Sequence, residues 1–229
     1  MTAIVLVHGA LGDASTLTPL ADHLEALGAS RPRTLELAGH GTSAGAAPFS
    51  IERFAEQLAD AVDEPSIVFG YSMGGYVALH LAATVPGLLA GVVTLGTKLA
   101  WSPEVALREG AMLDPVAMRA KVPNFADRLA ARHSALGWET VCVATRDLMT
   151  ALGDRPLVGP DALAAIAVPV TLMVGDRDAT VTVEETLATA RALPDGGCAV
   201  LPRTPHPIER APLDAVARGI LSLTEPAGR

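Results

Sequence analysis

The sequence has few of the residues that cross-link small proteins or build cores from large rings. It contains two cysteines, Cys142 and Cys198, in 229 residues, and aromatic residues make up 3% of the chain. So few cysteines argue against a disulfide scaffold and fit a protein of the reducing cytoplasm. Because apolar residues nevertheless make up 50% of the chain, we expect a core of many small aliphatic side chains.

Positive charge and long apolar runs are also scarce. The formal net charge is −8 and there is no basic stripe, which argues against nucleic acid or an anionic membrane as a partner. Residues 1–8 have no basic start and an apolar run too short to span a bilayer, which predicts a first strand and not a signal peptide. Paired metal ligands, phosphate-binding glycine loops and dinucleotide fingerprints are missing from the sequence, so we expect no metal and no cofactor.

Short apolar runs alternate with helical patterns along most of the chain. The runs lie at residues 3–7, 33–37, 66–71, 91–95, 168–174 and 198–201. This alternation predicts one α/β domain, with a parallel sheet and helices on both faces. Two helix starts are marked, by Ser50 as an N-cap and by Thr182 with Glu185 as a capping box.

One stretch departs from this alternation. Between residues 98 and 160 there is no convincing strand, while helical patterns, prolines and both tryptophans accumulate. A structureless loop of this length is uncommon inside a compact domain. We therefore predict a helical lid at residues 98–160, inserted into a core formed by residues 1–97 and 161–229.

The most informative motif is Gly70-Tyr71-Ser72-Met73-Gly74, between an apolar run and a helical pattern. It is typical of a nucleophile elbow, where a sharp strand-to-helix turn presents the serine hydroxyl and the glycines let strand and helix approach closely. The N-terminus of the following helix would direct backbone N–H groups toward an oxyanion formed there. Ser72 is the predicted nucleophile.

A serine hydroxyl becomes a good nucleophile only when a base takes its proton and a carboxylate holds that base in one tautomer. His206 follows the last predicted strand in a turn-rich segment, where its side chain can reach the carboxyl edge of the sheet. The segment after the penultimate strand offers two carboxylates, Asp176 and Asp178. The residues alone leave both open.

At this point the chain resembles the α/β-hydrolase superfamily over nearly its whole length. The family's signature after the penultimate strand is a glycine, two variable residues and the acid, often with an apolar residue three further on. Gly175, Asp178 and Val181 match it. The resemblance therefore implies Asp178 as the acid, and the family's order of nucleophile, acid and histidine is met by Ser72, Asp178 and His206.

The resemblance also implies an oxyanion hole and a sheet size. In relatives, the residue after the His-Gly pair that follows the first strand and the residue after the nucleophile supply the two N–H groups. These positions are Ala10 and Met73 here. The chain starts at the His-Gly strand, without the N-terminal hairpin of larger members, so we expect an α/β-hydrolase fold with a mostly parallel sheet of about six strands.

These features predict an enzyme, a serine hydrolase that cleaves a carboxylic ester or thioester of a small to medium apolar acyl group through an acyl-enzyme. One alternative is a lyase or carbon–carbon bond hydrolase of the superfamily that uses the same triad on an anionic substrate, as in menaquinone-pathway relatives. A second alternative is a ligand-binding receptor on the hydrolase scaffold. The expected partner is a small-molecule acyl substrate, and both a monomer and a homodimer are compatible with the sequence.

Large and basic side chains are the candidates for substrate contacts. The predicted pocket residues are Leu11, Tyr71, Trp101, Met112, Met118, Phe125 and Trp138. Those in the lid could equally anchor its helices to the core. Basic lid residues could receive an anionic substrate or form a solvated helix face. They are Arg108, Arg119, Lys121, Arg128 and Arg132.

Overall fold

Strands and helices alternate through the first part of the chain. The computed structural model describes residues 2–224. The first elements are β1 (Ile4–Val7), α1 (Thr18–Ala26), β2 (Arg33–Leu35), α2 (Ile51–Asp60), β3 (Ser66–Tyr71), α3 (Met73–Thr84) and β4 (Leu89–Leu95). Each parallel neighbour is reached by a crossover, as the alternating pattern predicts.

A run of helices then replaces the alternation. It comprises α4 (Pro103–Gly110), α5 (Pro115–Lys121), α6 (Pro123–Arg132), α7 (Trp138–Asp154) and α8 (Pro160–Ala165). The chain continues with β5 (Val170–Gly175), α9 (Val183–Ala192), β6 (Gly196–Leu201) and α10 (Leu213–Leu221). We call residues 98–160 the helical insertion. Four helices start at a proline, where the missing N–H removes no intrahelical hydrogen bond. They are α4, α5, α6 and α8.

The six strands form one sheet in the order β2-β1-β3-β4-β5-β6, and every neighbouring pair is parallel. The predicted parallel sheet of about six strands is therefore confirmed. Val7 of β1 is level with Gly70 of β3, and Tyr71 of β3 is level with Leu95 of β4. Because the strands run the same way, the segments that follow them emerge along one edge of the sheet.

Strand boundaries differ slightly from the apolar runs. β2 ends at Leu35, before the predicted end of its run, and β6 starts at Gly196, before the predicted start of its run. Gly196 belongs to β6 because its backbone pairs with Val170 of β5. Backbone pairing, which side-chain hydropathy does not report, sets these boundaries.

The sheet is covered by apolar side chains on both faces. On one face α1 and α10 contribute Leu20, Leu24, Val216 and Ile220 to a cluster with β1 and β3. On the other face α2, α3 and the helical insertion form a second, larger cluster. No helix within residues 2–224 combines the length and the apolar character needed to cross a bilayer.

Side chains of the core hold both ends of the helical insertion. At its start, the Glu185 carboxylate of α9 accepts hydrogen bonds from the backbone N–H groups of residues 99 and 100, both at 2.8 Å. Near its end, the Tyr76 hydroxyl of α3 accepts from the N–H groups of residues 157 and 158 at 2.9 and 3.0 Å. The insertion therefore leaves and rejoins the core at two fixed points.

The two predicted helix caps have different outcomes. Ser50 accepts a hydrogen bond from the Arg53 N–H at the start of α2, as predicted. Thr182 likewise accepts from the Glu185 N–H, but the Glu185 carboxylate does not complete a capping box, because it is engaged by the helical insertion. A tertiary contact has replaced the local one.

Candidate active site

Ser72 lies in the turn between β3 and α3, at the carboxyl edge of the sheet. Its φ of 51° and ψ of −114° put it in a left-handed conformation that costs a non-glycine residue about 1 to 3 kcal/mol. The turn is held by the Ser72 N–H, which donates to the Leu95 carbonyl at 2.8 Å, and by the Thr97 hydroxyl, which donates to the Ser72 carbonyl at 2.9 Å. Gly70 permits this turn, because a Cβ there would collide with the backbone of residues 74–75.

His206 and Asp178 are joined at the same edge. His206 Nδ1 lies 2.7 Å from Asp178 Oδ2, and the Asp178 side chain is only 2% exposed. The other carboxylate oxygen accepts from the N–H groups of Thr180 and Val181 at 2.8 and 2.9 Å. Burial raises the pKa of Asp178, but the hydrogen bond and charge of His206 and these two N–H groups outweigh it, so the pKa is lowered. The carboxylate is therefore ionised at neutral pH and can orient the imidazole.

Asp176, the other carboxylate left open by the sequence, takes a different place. It accepts a hydrogen bond from the Thr204 N–H at 3.2 Å. It thus supports the backbone that leads to His206, while Asp178 contacts the ring itself.

The nucleophile turn and His206 flank the end of β4. Gly96, which follows the strand, packs so closely on the pair that a Cβ there would lie 3.1 Å from Asp178 Oδ2 and 3.2 Å from His206 Nδ1. The Tyr71 hydroxyl donates to the His206 carbonyl at 3.1 Å. The hydrogen bonds found within residues 2–224 join His206 to Asp178 but do not extend to the Ser72 hydroxyl.

The segment after β1 forms a tight turn beside the nucleophile. The Gly12 N–H donates to the Gly9 carbonyl at 3.1 Å. Gly9 approaches the nucleophile so closely that a Cβ there would lie 3.1 Å from Ser72 Cβ. Ala10 and Met73, which carry the predicted oxyanion-hole N–H groups, border the same cavity as Ser72.

Three buried histidines lie behind this turn: His8, His40 and His133. His8 Nε2 accepts from the Leu37 N–H at 3.1 Å, so we assign the proton to Nδ1, which donates to the Gly9 carbonyl at 2.8 Å. Burial lowers the pKa of His8 to about 4 and that of His40 to about 3. Burial also lowers the pKa of His133. The cluster is therefore neutral at physiological pH, and its rings form hydrogen bonds and pack against one another.

The end of α6 contacts the same turn. Arg132 Nη1 donates to the Leu11 carbonyl at 2.8 Å, and His133 Nε2 donates to the same oxygen at 3.1 Å. Leu11 has a φ of 56°. Sequence reasoning missed these contacts, because Arg132 and Leu11 are 121 positions apart and no local pattern relates them.

A cavity with an empty volume of about 490 Å³ lies between Ser72 and the helical insertion. One wall comes from α7, and the spacing of three and four residues places its members on one helix face. They are Thr145, Leu148, Met149 and Leu152. Met73 and Tyr76 of α3 and Ile51 of α2 also line the cavity. The cavity is mainly apolar, and the sequence did not single out the α7 face that lines it.

The predicted pocket residues are only partly brought together. Trp101 lines this cavity. Met112, Met118 and Phe125 do not line it, and they border a separate surface groove. Trp138 is 4% exposed and buried in the core cluster. The physical reason is that α7 supplies the wall near Ser72, whereas α5 and α6 pack against α7.

The other two predicted pocket residues border the site without lining the cavity. Leu11 is 9% exposed and packs in the core cluster. The Tyr71 ring lies against His206, with the ring centres 5.5 Å apart. Both support neighbouring residues of the site.

Four arginines of the helical insertion were candidates to receive an anionic substrate, and all four contact other groups of the protein. Two of them pair with carboxylates, Arg108 with Glu109 and Arg119 with Asp127. The other two contact uncharged groups, Arg128 the Phe125 ring and Arg132 the Leu11 carbonyl. Lys121 lines the separate groove. The charged side chains that border the cavity are Lys98 and Glu109, and Lys98 Nζ lies 3.3 Å from a Glu185 carboxylate oxygen. No arginine cluster faces the cavity within residues 2–224.

Known proteins resemble this chain in sequence. The model of the "Alpha/beta hydrolase family" matches residues 4–219. The pimeloyl-[acyl-carrier protein] methyl ester esterase of Vibrio atlanticus (strain LGP32) is 26% identical over 252 residues, which covers 97% of this chain and 94% of that protein. Lipase LipV of Mycobacterium tuberculosis is 33% identical over 133 residues, which covers 56% of this chain and 48%, about half, of the lipase.

Solved structures share the fold. A thermophilic esterase from Thermogutta terrifontis aligns with a TM-score of 0.76 at 23% identity, covering 98% of this chain and 89% of that one. MenH from S. aureus aligns with a TM-score of 0.74 at 22% identity, covering 97% and 92%. Because the family model spans nearly the whole chain and the fold agrees, the resemblance inferred from the motifs is confirmed: the chain belongs to the alpha/beta hydrolase family.

Proposed function

We propose that this protein is a serine hydrolase that cleaves a carboxylic ester or thioester of a small to medium apolar acyl group. The observation that carries the proposal is the 2.7 Å pairing of His206 with the buried Asp178, at the sheet edge where Ser72 stands in its left-handed turn. A nucleophile, a base and a group that orients the base are what serine catalysis requires.

The reaction begins when Ser72 Oγ attacks the substrate carbonyl and its proton passes to His206 Nε2. Asp178 holds the Nδ1 proton and stabilises the imidazolium. The Ser72–His206 hydrogen bond forms as the substrate binds, since catalytic hydrogen bonds are often long in unliganded enzymes. The N–H groups of Ala10 and Met73 bind the tetrahedral oxyanion, and each such donor is typically worth about 3 kcal/mol.

Collapse of this intermediate breaks the bond to the alcohol or thiol, which takes the proton from His206 and leaves. The acyl group remains on Ser72 as an ester. His206 then removes a proton from water, which attacks the acyl carbonyl. As this second intermediate collapses, His206 returns the proton to Ser72 Oγ, the carboxylic acid departs and the Ser72 hydroxyl is restored.

The cavity supports this substrate class. Its lining is mainly apolar, as in most small-molecule sites, and the aliphatic side chains of α7 suit an acyl chain. We assign a lid role to the helical insertion, residues 98–160, because α7 closes the cavity over Ser72. The names of the relatives, an esterase and a lipase, agree with ester hydrolysis.

Glu109 favours a neutral substrate over an anionic one. It borders the cavity and is 6% exposed, and its Oε1 accepts from the Arg108 guanidinium at 2.9 Å. A carboxylate in the wall repels a second negative charge. The arginines of the insertion contact other groups of the protein, which also argues against an anionic substrate. The ester hydrolase is therefore preferred to the lyase.

The test uses a fluorophosphonate probe with intact-mass analysis, beside p-nitrophenyl ester turnover. Wild type should gain one label and turn over repeatedly. Ser72→Ala should gain none and lose about 10⁴-fold or more in kcat, because the nucleophile is gone, with an unchanged unfolding curve. Wild-type turnover in Ser72→Ala would eliminate the scheme. Labelling of the wild type with negligible turnover would favour a ligand-binding receptor instead.

A further inference from the structure

The peptide that carries the Ala10 N–H is held through its own carbonyl. A trans peptide is planar, so the Gly9 C=O and the Ala10 N–H point in opposite directions from one rigid unit. The Gly9 carbonyl accepts from His8 Nδ1 at 2.8 Å and from the Gly12 N–H at 3.1 Å. Those two donors therefore set the direction of the Ala10 N–H.

The second donor belongs to a peptide that the helical insertion holds. The Gly12 N–H and the Leu11 carbonyl are the two ends of the Leu11–Gly12 peptide plane. The Leu11 oxygen accepts from Arg132 Nη1 at 2.8 Å and from His133 Nε2 at 3.1 Å. The insertion thus holds the Leu11 C=O end of this peptide plane. The Gly12 N–H at the other end in turn holds the Gly9 carbonyl.

Both donors are themselves oriented. His133 Nδ1 accepts from the Gly41 N–H at 3.0 Å, so Nε2 carries the proton that Leu11 receives. The Arg132 guanidinium lies 3.6 Å from the Asp13 carboxylate, and both side chains are less than one quarter exposed. Leu11 has a φ of 56°, a conformation that persists in a non-glycine residue only where its surroundings hold it.

We propose that Arg132 and His133 are positioning residues that aim the Ala10 N–H at the oxyanion, through the Leu11–Gly12 and Gly9–Ala10 peptides. The inference rests on the proposed serine hydrolase function. It gives the insertion a part in the chemical step besides covering the cavity.

The test compares Arg132→Met with Arg128→Met. Arg128 lies one turn earlier on α6, and its guanidinium is 5.5 Å from the Phe125 ring centre, so it is the matched control. Loss of an entire oxyanion donor costs about 10² to 10³-fold in kcat, so misaiming one donor should cost Arg132→Met about tenfold. KM should stay within about twofold, because ground-state binding is not touched.

An aryl trifluoromethyl ketone gives a second readout. Its hemiketal oxygen would occupy the oxyanion hole, so its affinity for Arg132→Met should fall by the same factor as kcat/KM. Arg128→Met should match wild type in both measurements. At the neighbouring position, His133→Gln keeps an amide donor near Leu11 and should retain more activity than His133→Leu. If His133→Leu does not fold, Arg132→Met decides.

Two results would overturn the inference. One is wild-type kcat and inhibitor affinity in Arg132→Met, even with lowered stability. The other is a raised KM with unchanged kcat, which would mean that Arg132 contacts the substrate. If Ser72→Ala is inactive in the same assays, either result removes only the positioning role, whereas full turnover by Ser72→Ala removes the proposed function itself.

Discussion

Gly96 offers a way to disturb the His206–Asp178 pair without removing either side chain. A Cβ at this position would lie 3.1 Å from Asp178 Oδ2 and 3.2 Å from both Nδ1 and Cε1 of His206. Gly96 cannot readily retreat, because its N–H donates to the Met173 carbonyl of β5 at 2.9 Å. In Gly96→Ala, the imidazole and the carboxylate must therefore give way by a few tenths of an ångström.

Two costs follow from the geometry. The φ of +62° at Gly96 costs an alanine about 1 to 2 kcal/mol, which for a chain of this size lowers Tm by about 2 to 8 °C. Displacing a catalytic group by about 1 Å can cost about 10²-fold in rate. A shift of a few tenths of an ångström should then lower kcat about tenfold.

Gly87→Ala separates these two costs. Gly87 has a φ of +83°, but a Cβ there would meet no atom within 4 Å. It should lose a similar amount of stability and keep wild-type kcat. The assay is p-nitrophenyl butyrate turnover well below Tm, with thermal unfolding of both variants. Equal kcat values for the two variants would refute the claim that Gly96 holds the pair in place.

Two further predictions concern charge. The pKa of Asp178 is lowered in the folded protein, so its ionised form adds stability above the unfolded value of about 3.9, and this stability is lost as pH falls through the folded pKa. The unfolding free energies of wild type and Asp178→Asn should therefore converge in urea titrations as the pH falls below about 4, and a constant difference between about pH 5 and pH 3 would contradict the assignment. Glu109→Gln removes a negative charge from the cavity wall, an effect of about 1 to 2 kcal/mol at an effective dielectric near 20. It should lower KM for a dicarboxylic monoester about 5- to 30-fold while leaving KM for a neutral ester of equal length unchanged, and equal effects on both esters would exclude the charge argument.

The nucleophile turn could be predicted because its determinants are local. An apolar run, two glycines around Ser72 and a following helical pattern all lie within about fifteen residues. His206 and the segment with Asp176 and Asp178 could be placed because the carboxyl ends of parallel strands meet at one edge. The order of the runs was enough to bring them to that edge, but only the resemblance to the α/β-hydrolase superfamily selected Asp178 over Asp176.

The cavity wall could not be predicted, because helix-on-helix packing chooses it. Leu148 and Leu152 have the spacing of an apolar face, but so do residues on the neighbouring helices. Only the docking of α7 decides which face meets Ser72. The contact of Arg132 with the Leu11 carbonyl is beyond local reasoning for the same cause, since it depends on where the end of α6 comes to rest.

The anchoring of the insertion by Glu185 and Tyr76 has a consequence for how such enzymes diversify. Both anchors belong to the core and hold backbone N–H groups, and Glu185 also pairs with the Lys98 side chain at the first position of the insertion. Apart from Lys98, these contacts do not depend on which side chains lie between the anchors. We therefore expect that residues 99–160 can be replaced as one segment that reshapes the cavity while the core is kept. A replacement segment must still supply hydrogen-bond donors for the Leu11 carbonyl. Without them, we expect a change in specificity to be accompanied by a lower kcat.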